Sequence, residues 1–118
     1  MEYSAGRHIG DILKERNIEI VGADPITRHG LTQVPNFILT KKDISVGAKL
    51  AYAMLLKYAW GDDACFPGQV KLAEDMGAGE RSVRTYLKEL ETADLLEIKQ
   101  RGLGKTNLYR LHLTIKKG

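Results

Sequence analysis

Residues 69–90 read QVKLAEDMGAGERSVRTYLKEL, two stretches of helical apolar period parted by GAGE alone. In the first stretch Val70, Ala73 and Met76 are expected to face inward, with Leu72 shared between faces. In the second, Val83, Leu87 and Leu90 recur at spacings of three and four, the mark of a helix packing on a core. A break this short leaves no chain to run back antiparallel, so the two helices must cross. Gly77 suits the left-handed residue that a sharp helix exit needs. Gly79 stands where a cap belongs, and Glu80 lies at the positive end of the next helix dipole. No other feature of the sequence restricts the fold as strongly.

The second helix carries another stripe at the same period. Arg81, Arg84 and Lys88 fall on the side opposite the apolar residues, with Ser82 and Thr85 beside them. The surrounding charge agrees with an aimed cationic surface. Net charge is only +3, yet residues 81–118 hold nine Lys/Arg against four Asp/Glu, while residues 1–80 are slightly acidic. Such asymmetry points to a polyanionic partner, although a basic tail serving solubility would look similar.

Beyond the second helix, Leu96 and Ile98 alternate with Glu97 and Lys99, then Tyr109, Leu111 and Leu113 with Arg110 and His112. The intervening RGLGKT is glycine-rich and basic, so the segment reads as a β-hairpin with Arg101 and Lys105 at its tip. GLGKT is a weak match to a phosphate-binding loop, because position 99 is lysine instead of the earlier glycine and two strands flank the segment. Upstream, VGAKLAYAMLLKYAW predicts a helix buried on most of its circumference. Val46, Leu50, Met54 and Tyr58 would form its stripe with Ala51 and Leu55 alongside, Ser45 as cap and Gly61 as stop. Tyr58 and Trp60 read as core anchors. LTQVPNFILT suggests a short edge strand limited by Pro35. Residues 1–30 read as an N-terminal arm, in which Ile9, Ile12 and Leu13 share a helical face that would serve packing or pairing with a second copy. Residues 31–118 read as one domain, and a chain of 118 residues suits one domain with an arm.

Several functions find no support in the residues. One cysteine, Cys65, forms no intramolecular disulfide and has no basic neighbours, so a reducing compartment and an inert thiol are expected. His8, His29 and His112 are scattered without metal-ligand spacing. Asp62 and Asp63 follow a helix-ending glycine and read as a solvated loop. No nucleophile or acid–base set stands out, so no enzyme activity, cofactor or metal is expected. No apolar run is long enough for a membrane span, and MEYSAGRH lacks the pattern of a secretory signal, so a cytoplasmic location is expected.

From CFPGQVKLAEDM through NLYRLHL the sequence resembles winged helix-turn-helix domains of bacterial regulators, most closely those of plasmid and phage replication proteins and related small transcription regulators. The residues carrying the resemblance are Pro67, Gln69, Leu72-Ala73, Gly77, Ser82-Val83, Leu87-Lys88-Glu89-Leu90, Leu95-Leu96, Asn107, Tyr109 and Leu111. VPNFILT and SVGAKLAYAMLLKYAW resemble the front of the same module, so the likeness spans about residues 31–113. Gly79 departs from the family, which commonly has Ser or Thr as the cap of the recognition helix. Glycine costs only a few tenths of a kcal/mol there, but a hydroxyl contact to phosphate is lost. The resemblance implies a mainly α fold with a small β-sheet: a three-helix core plus a β-hairpin wing.

Together these features predict sequence-specific binding of double-stranded DNA, with the second helix of the motif in the major groove. Arg81, Ser82, Arg84, Thr85 and Lys88 would face the groove, and the two arginines suit guanine O6 and N7. Gln69 and Lys71 would hold phosphates, and Lys99, Arg101 and Lys105 would place the wing on the backbone or in the minor groove. Transcription regulation is the leading expectation, beside replication initiation on a plasmid or phage. A protein-interaction module without DNA binding is the rival of a different class. Against any single basic residue stands the plainer reading that Arg84 and Lys88 pair with Glu80 and Glu91 on a solvated face.

Overall fold

The computed structural model describes residues 17–22, 30–61, 65–102, 104 and 107–113. The expected arm stripe of Ile9, Ile12 and Leu13, the Asp62–Asp63 pair and Lys105 lie outside them. The chain divides into two units, Met1–Leu31 and Thr32–Gly118. In the first unit the described residues 17–22, 30 and 31 have no regular structure, and Ile18, Ile20, Val21 and Leu31 are exposed.

The second unit contains four helices and a two-stranded antiparallel sheet in the order α1 (Asn36–Leu39), α2 (Val46–Ala59), α3 (Gln69–Met76), α4 (Glu80–Thr92), β1 (Leu96–Lys99) and β2 (Leu108–Leu111). This is the expected α+β winged arrangement, with α2, α3 and α4 packed together and the hairpin after them. The segment around Pro35 is a correction: it opens a short helix and no strand. Pro35 has no N–H to lose as the residue before the first turn, and its carbonyl accepts from the N–H groups of Ile38 and Leu39 at 3.1 and 3.3 Å. The turn delivers Ile38 into the core, fully buried.

Ser45 caps α2, its hydroxyl oxygen accepting from the Ala48 N–H at 3.1 Å. The buried face of α2 is Ala48, Ala51, Tyr52, Leu55 and Leu56. Ala51 and Leu55 are inward as expected and Met54 and Tyr58 border the core, whereas Val46, 82% exposed, and Leu50 are corrections, since both face solvent. Two contacts fix the true face. Gly47 lies against the Tyr86 ring of α4, so close that a Cβ there would overlap it. Tyr52, wholly buried, donates its hydroxyl to the His112 carbonyl at 2.7 Å, tying the helix to the strand end. Trp60 and Val70 are further corrections, being 56% and 58% exposed. Both lie at helix ends, where the packed face no longer covers them.

α3 ends as expected on Gly77 in the left-handed region (φ 68°), and the Ala78 N–H reaches back to the Ala73 carbonyl at 3.0 Å. That long backward bond satisfies a carbonyl the helix end would otherwise leave open. Gly79 is extended and caps α4 through its backbone alone; its carbonyl accepts from the Val83 N–H at 3.0 Å. α4 closes similarly on Asp94, the one non-glycine residue with positive φ (60°) among those described, where the Leu95 N–H bonds the Leu90 carbonyl at 2.9 Å. Leu95 and Leu96 are buried there and start the hairpin. In it Leu96 pairs with Leu111, Glu97 with Arg110, Ile98 with Tyr109 and Lys99 with Leu108. Alternation puts Leu96, Ile98, Tyr109 and Leu111 inward, while Leu113, past the strand end, is exposed. Tyr109 packs on Phe66 with tilted rings whose centroids are 4.3 Å apart, and Phe66 meets Tyr58 edge-on, so an aromatic run joins the hairpin to the end of α2.

Candidate nucleic-acid interface

The short turn Gly77–Gly79 fixes how α4 lies on α2 and α3, and the apolar stripe fixes its rotation. Val83, Leu87 and Leu90 are buried, which turns Arg81, Ser82, Arg84, Thr85 and Lys88 outward, all exposed. Among the described residues, Arg81, Arg84 and Lys88 make no ion pair; the pairs found are Lys41–Asp43, Lys71–Asp75 and Arg110–Glu97. The expected alternative of Arg84 and Lys88 neutralised by Glu80 and Glu91 is absent from this set. The row is therefore a positively charged surface whose members have no ion-pair partner among the described residues. Thr85 differs from its neighbours, because its hydroxyl donates back to the Arg81 carbonyl at 3.2 Å and so has a partner in the helix itself.

One carboxylate of α4 has a structural task. Glu89 receives two hydrogen bonds from Ser45, from the N–H at 2.9 Å and from the hydroxyl at 2.6 Å. Its charge sits at the positive end of the α2 dipole. The bonds pin the last turn of α4 to the start of α2. Beside this pin runs an open groove of about 620 Å³ lined by Arg81, Arg84, Thr85 and Lys88 from α4, together with Asp43 and Ile44 from the preceding loop. Sequence reasoning missed Asp43 and Glu89, which are 46 residues apart and share no periodic face; the Ser45 cap was the only signal leading toward them.

The remaining expected residues stand on other elements. Gln69, half-buried, is the first residue of α3, after Gly68 in a positive-φ conformation. Lys71 is exposed but bonded to Asp75 at 3.0 Å, one turn along α3. Asp75 also accepts the Tyr58 hydroxyl at 2.7 Å. These two donors, Tyr58 first, hold the Asp75 carboxyl below the usual range, and Asp75 in turn raises Lys71. Burial, followed by the adjacent carboxylate, pushes the Tyr58 hydroxyl well up, so it stays a donor. The i, i+4 spacing of Lys71 and Asp75 was a readable signal for this pair. On the hairpin, Lys99 and Arg101 are exposed. The structure thus gathers Arg81, Arg84, Thr85 and Lys88 on one groove, with Ser82 exposed on the same helix. Gln69, Lys71, Lys99 and Arg101 are not among that groove's lining residues.

A short helix, a three-residue turn, a longer helix with a bare cationic face and a β-hairpin after it define a winged helix-turn-helix. Residues 42–96 match the helix-turn-helix domain family, a stretch running from before α2 to the first residue of β1. In fold the chain is similar to a solved structure described as the N-terminal domain of a DNA binding protein, with a TM-score of 0.57 and 23% identity over 86% of this chain and 88% of that one. It is also similar to the chain in a structure of a Rep-DNA complex, with a TM-score of 0.56 and 23% identity over 85% and 88%. No curated protein matches the sequence. Among the described residues no helix is long and apolar enough to cross a membrane, and no cluster of three metal-ligating side chains occurs.

Proposed function

We propose that this chain binds double-stranded DNA sequence-specifically, with α4 in the major groove, as a regulator of transcription. The observation carrying the proposal is the row Arg81, Arg84 and Lys88, exposed and without ion-pair partners among the described residues. A helix that exposes uncompensated guanidinium groups beside its polar N-terminal turn suits a phosphate-lined groove whose guanine edges offer paired acceptors. The helix-turn-helix match and the DNA named in both similar structures support the same reading. In it Gln69 and Lys71 at the start of α3 hold backbone phosphates, as do Lys99, Arg101 and Lys105 of the wing. Lys71 would then exchange its Asp75 partner for a phosphate. Such a role places the protein in the cytoplasm, where bacterial DNA is found. Replication initiation is a second reading, favoured by the likeness to the Rep-DNA complex.

The test is a titration of duplex DNA at increasing salt. Each phosphate neutralised releases counterions, so log affinity should fall by roughly 0.9 per tenfold salt for every contact. Affinity that stays flat from low to moderate salt refutes the proposal. Residues 1–30 we assign as an arm that pairs two copies, since one recognition helix reads only a few base pairs and pairing doubles the site. A single monomer species in sedimentation at high concentration would overturn that assignment.

A further inference from the structure

Asp43 lies on the same groove as Arg81, Arg84, Thr85 and Lys88, although it belongs to the loop before α2. An anion at the edge of a surface meant for a polyanion costs affinity wherever a phosphate passes it. Asp43 is not incidental to the loop's shape either. Two residues on, Ser45 is bonded twice to Glu89 of α4, so the loop end and the recognition helix are held together. Lys41 grips one Asp43 oxygen, Oδ1, at 3.0 Å, while the side chain remains 74% exposed. The hydrogen bond from Lys41, the largest influence, keeps the carboxyl below its ordinary range. The result is an ionised, acceptor-only group lining the groove.

We infer that Asp43 is a specificity-determining residue, reading the exocyclic amino edge of a base in the duplex that α4 binds. This rests on the DNA-binding reading above and deepens it. The chemistry narrows the target. A carboxylate repels phosphate oxygens and the O6 and N7 acceptors of guanine, and can accept only from cytosine N4 or adenine N6. Arginines and an aspartate on one groove therefore divide the work, guanine edges going to Arg81 or Arg84 and an amino edge to Asp43. Glu89, the other carboxylate lining the groove, already accepts two bonds from Ser45 and is committed to the fold.

The experiment selects bound sequences from a random duplex pool with the wild-type protein, Asp43→Ala and Asp43→Asn, and measures affinity for unselected duplex at one salt concentration. Wild type should prefer an amino-bearing base at one position by roughly tenfold. Asp43→Ala should lose that preference alone, while binding unselected duplex at least as tightly because one repulsive charge is gone. Asp43→Asn should turn the position toward adenine, whose N6 and N7 an amide can bridge. Thermal unfolding of both variants, altered at an exposed loop residue, should match wild type. If Asp43→Ala selects the same sequences as wild type, the inference fails while the DNA-binding reading stands. If wild type retains no duplex, both fail together.

Discussion

Gly47 shows how much one missing side chain decides. α2 and α4 approach so closely at this point that the Tyr86 ring fills the space of a Cβ. Alanine would ordinarily help a helix by about 1 kcal/mol over glycine. Here overlap should outweigh that gain, and Gly47→Ala is expected to destabilise the fold by about 1–3 kcal/mol in urea unfolding. Tyr86→Leu in the same background should restore part of the loss, which a simple propensity effect would not allow. At Asp75 the expected signature is a pH dependence. The fold depresses this carboxyl below its ordinary value of 3.8, so its contribution is present above that value and lost as pH falls through the depressed one. The urea midpoint of wild type should therefore drop more between pH 6 and strong acid than that of Asp75→Asn. The carboxylate is legible in the sequence as a partner of Lys71, but the Tyr58 hydroxyl, 17 residues away, is not.

At the scale of elements, both α2 and α4 were readable as helices, but only α4 had its rotation fully legible, for one physical reason. α4 alternates apolar and charged residues sharply, so its period admits a single rotation. In α2 apolar residues occur on nearly every side, and two stripes satisfy the same spacing. Only the approach of Tyr86 to Gly47 and the reach of Tyr52 to the strand end choose between them. α1 escaped because Phe37, Ile38 and Leu39 have strand-like side chains, whereas Pro35 acts through its carbonyl as the start of a turn. The site followed the same rule. The outward face of α4 was legible in the sequence, whereas the placing of Asp43 beside it, from an irregular loop, was not. α4 and the hairpin should also differ in what they contribute to binding. Arg84→Ala is expected to relax sequence preference, by up to about a hundredfold at one base pair. Lys105→Ala should weaken every sequence alike and lower the salt slope by about one. Binding curves on selected and scrambled duplexes separate the two.

For the molecule as a whole, the charge imbalance along the chain finds its counterpart in the fold. Among the described residues, the cations of residues 81–118 lie on α4 (Arg81, Arg84, Lys88) and on the hairpin (Lys99, Arg101, Arg110), where Glu97 and Arg110 offset each other across the strands at 3.5 Å. The core is carried by fourteen buried apolar residues with no buried polar or charged residue among those described. Every element of the second unit contributes to its packed interior or borders it, yet the interior borrows nothing from the outward row of α4. That separation has a practical consequence. Positions 81, 82, 84 and 88 are open to wholesale exchange: a library varied there alone leaves the interior untouched, so any change it makes in the proposed duplex preference can be read without a change in folding.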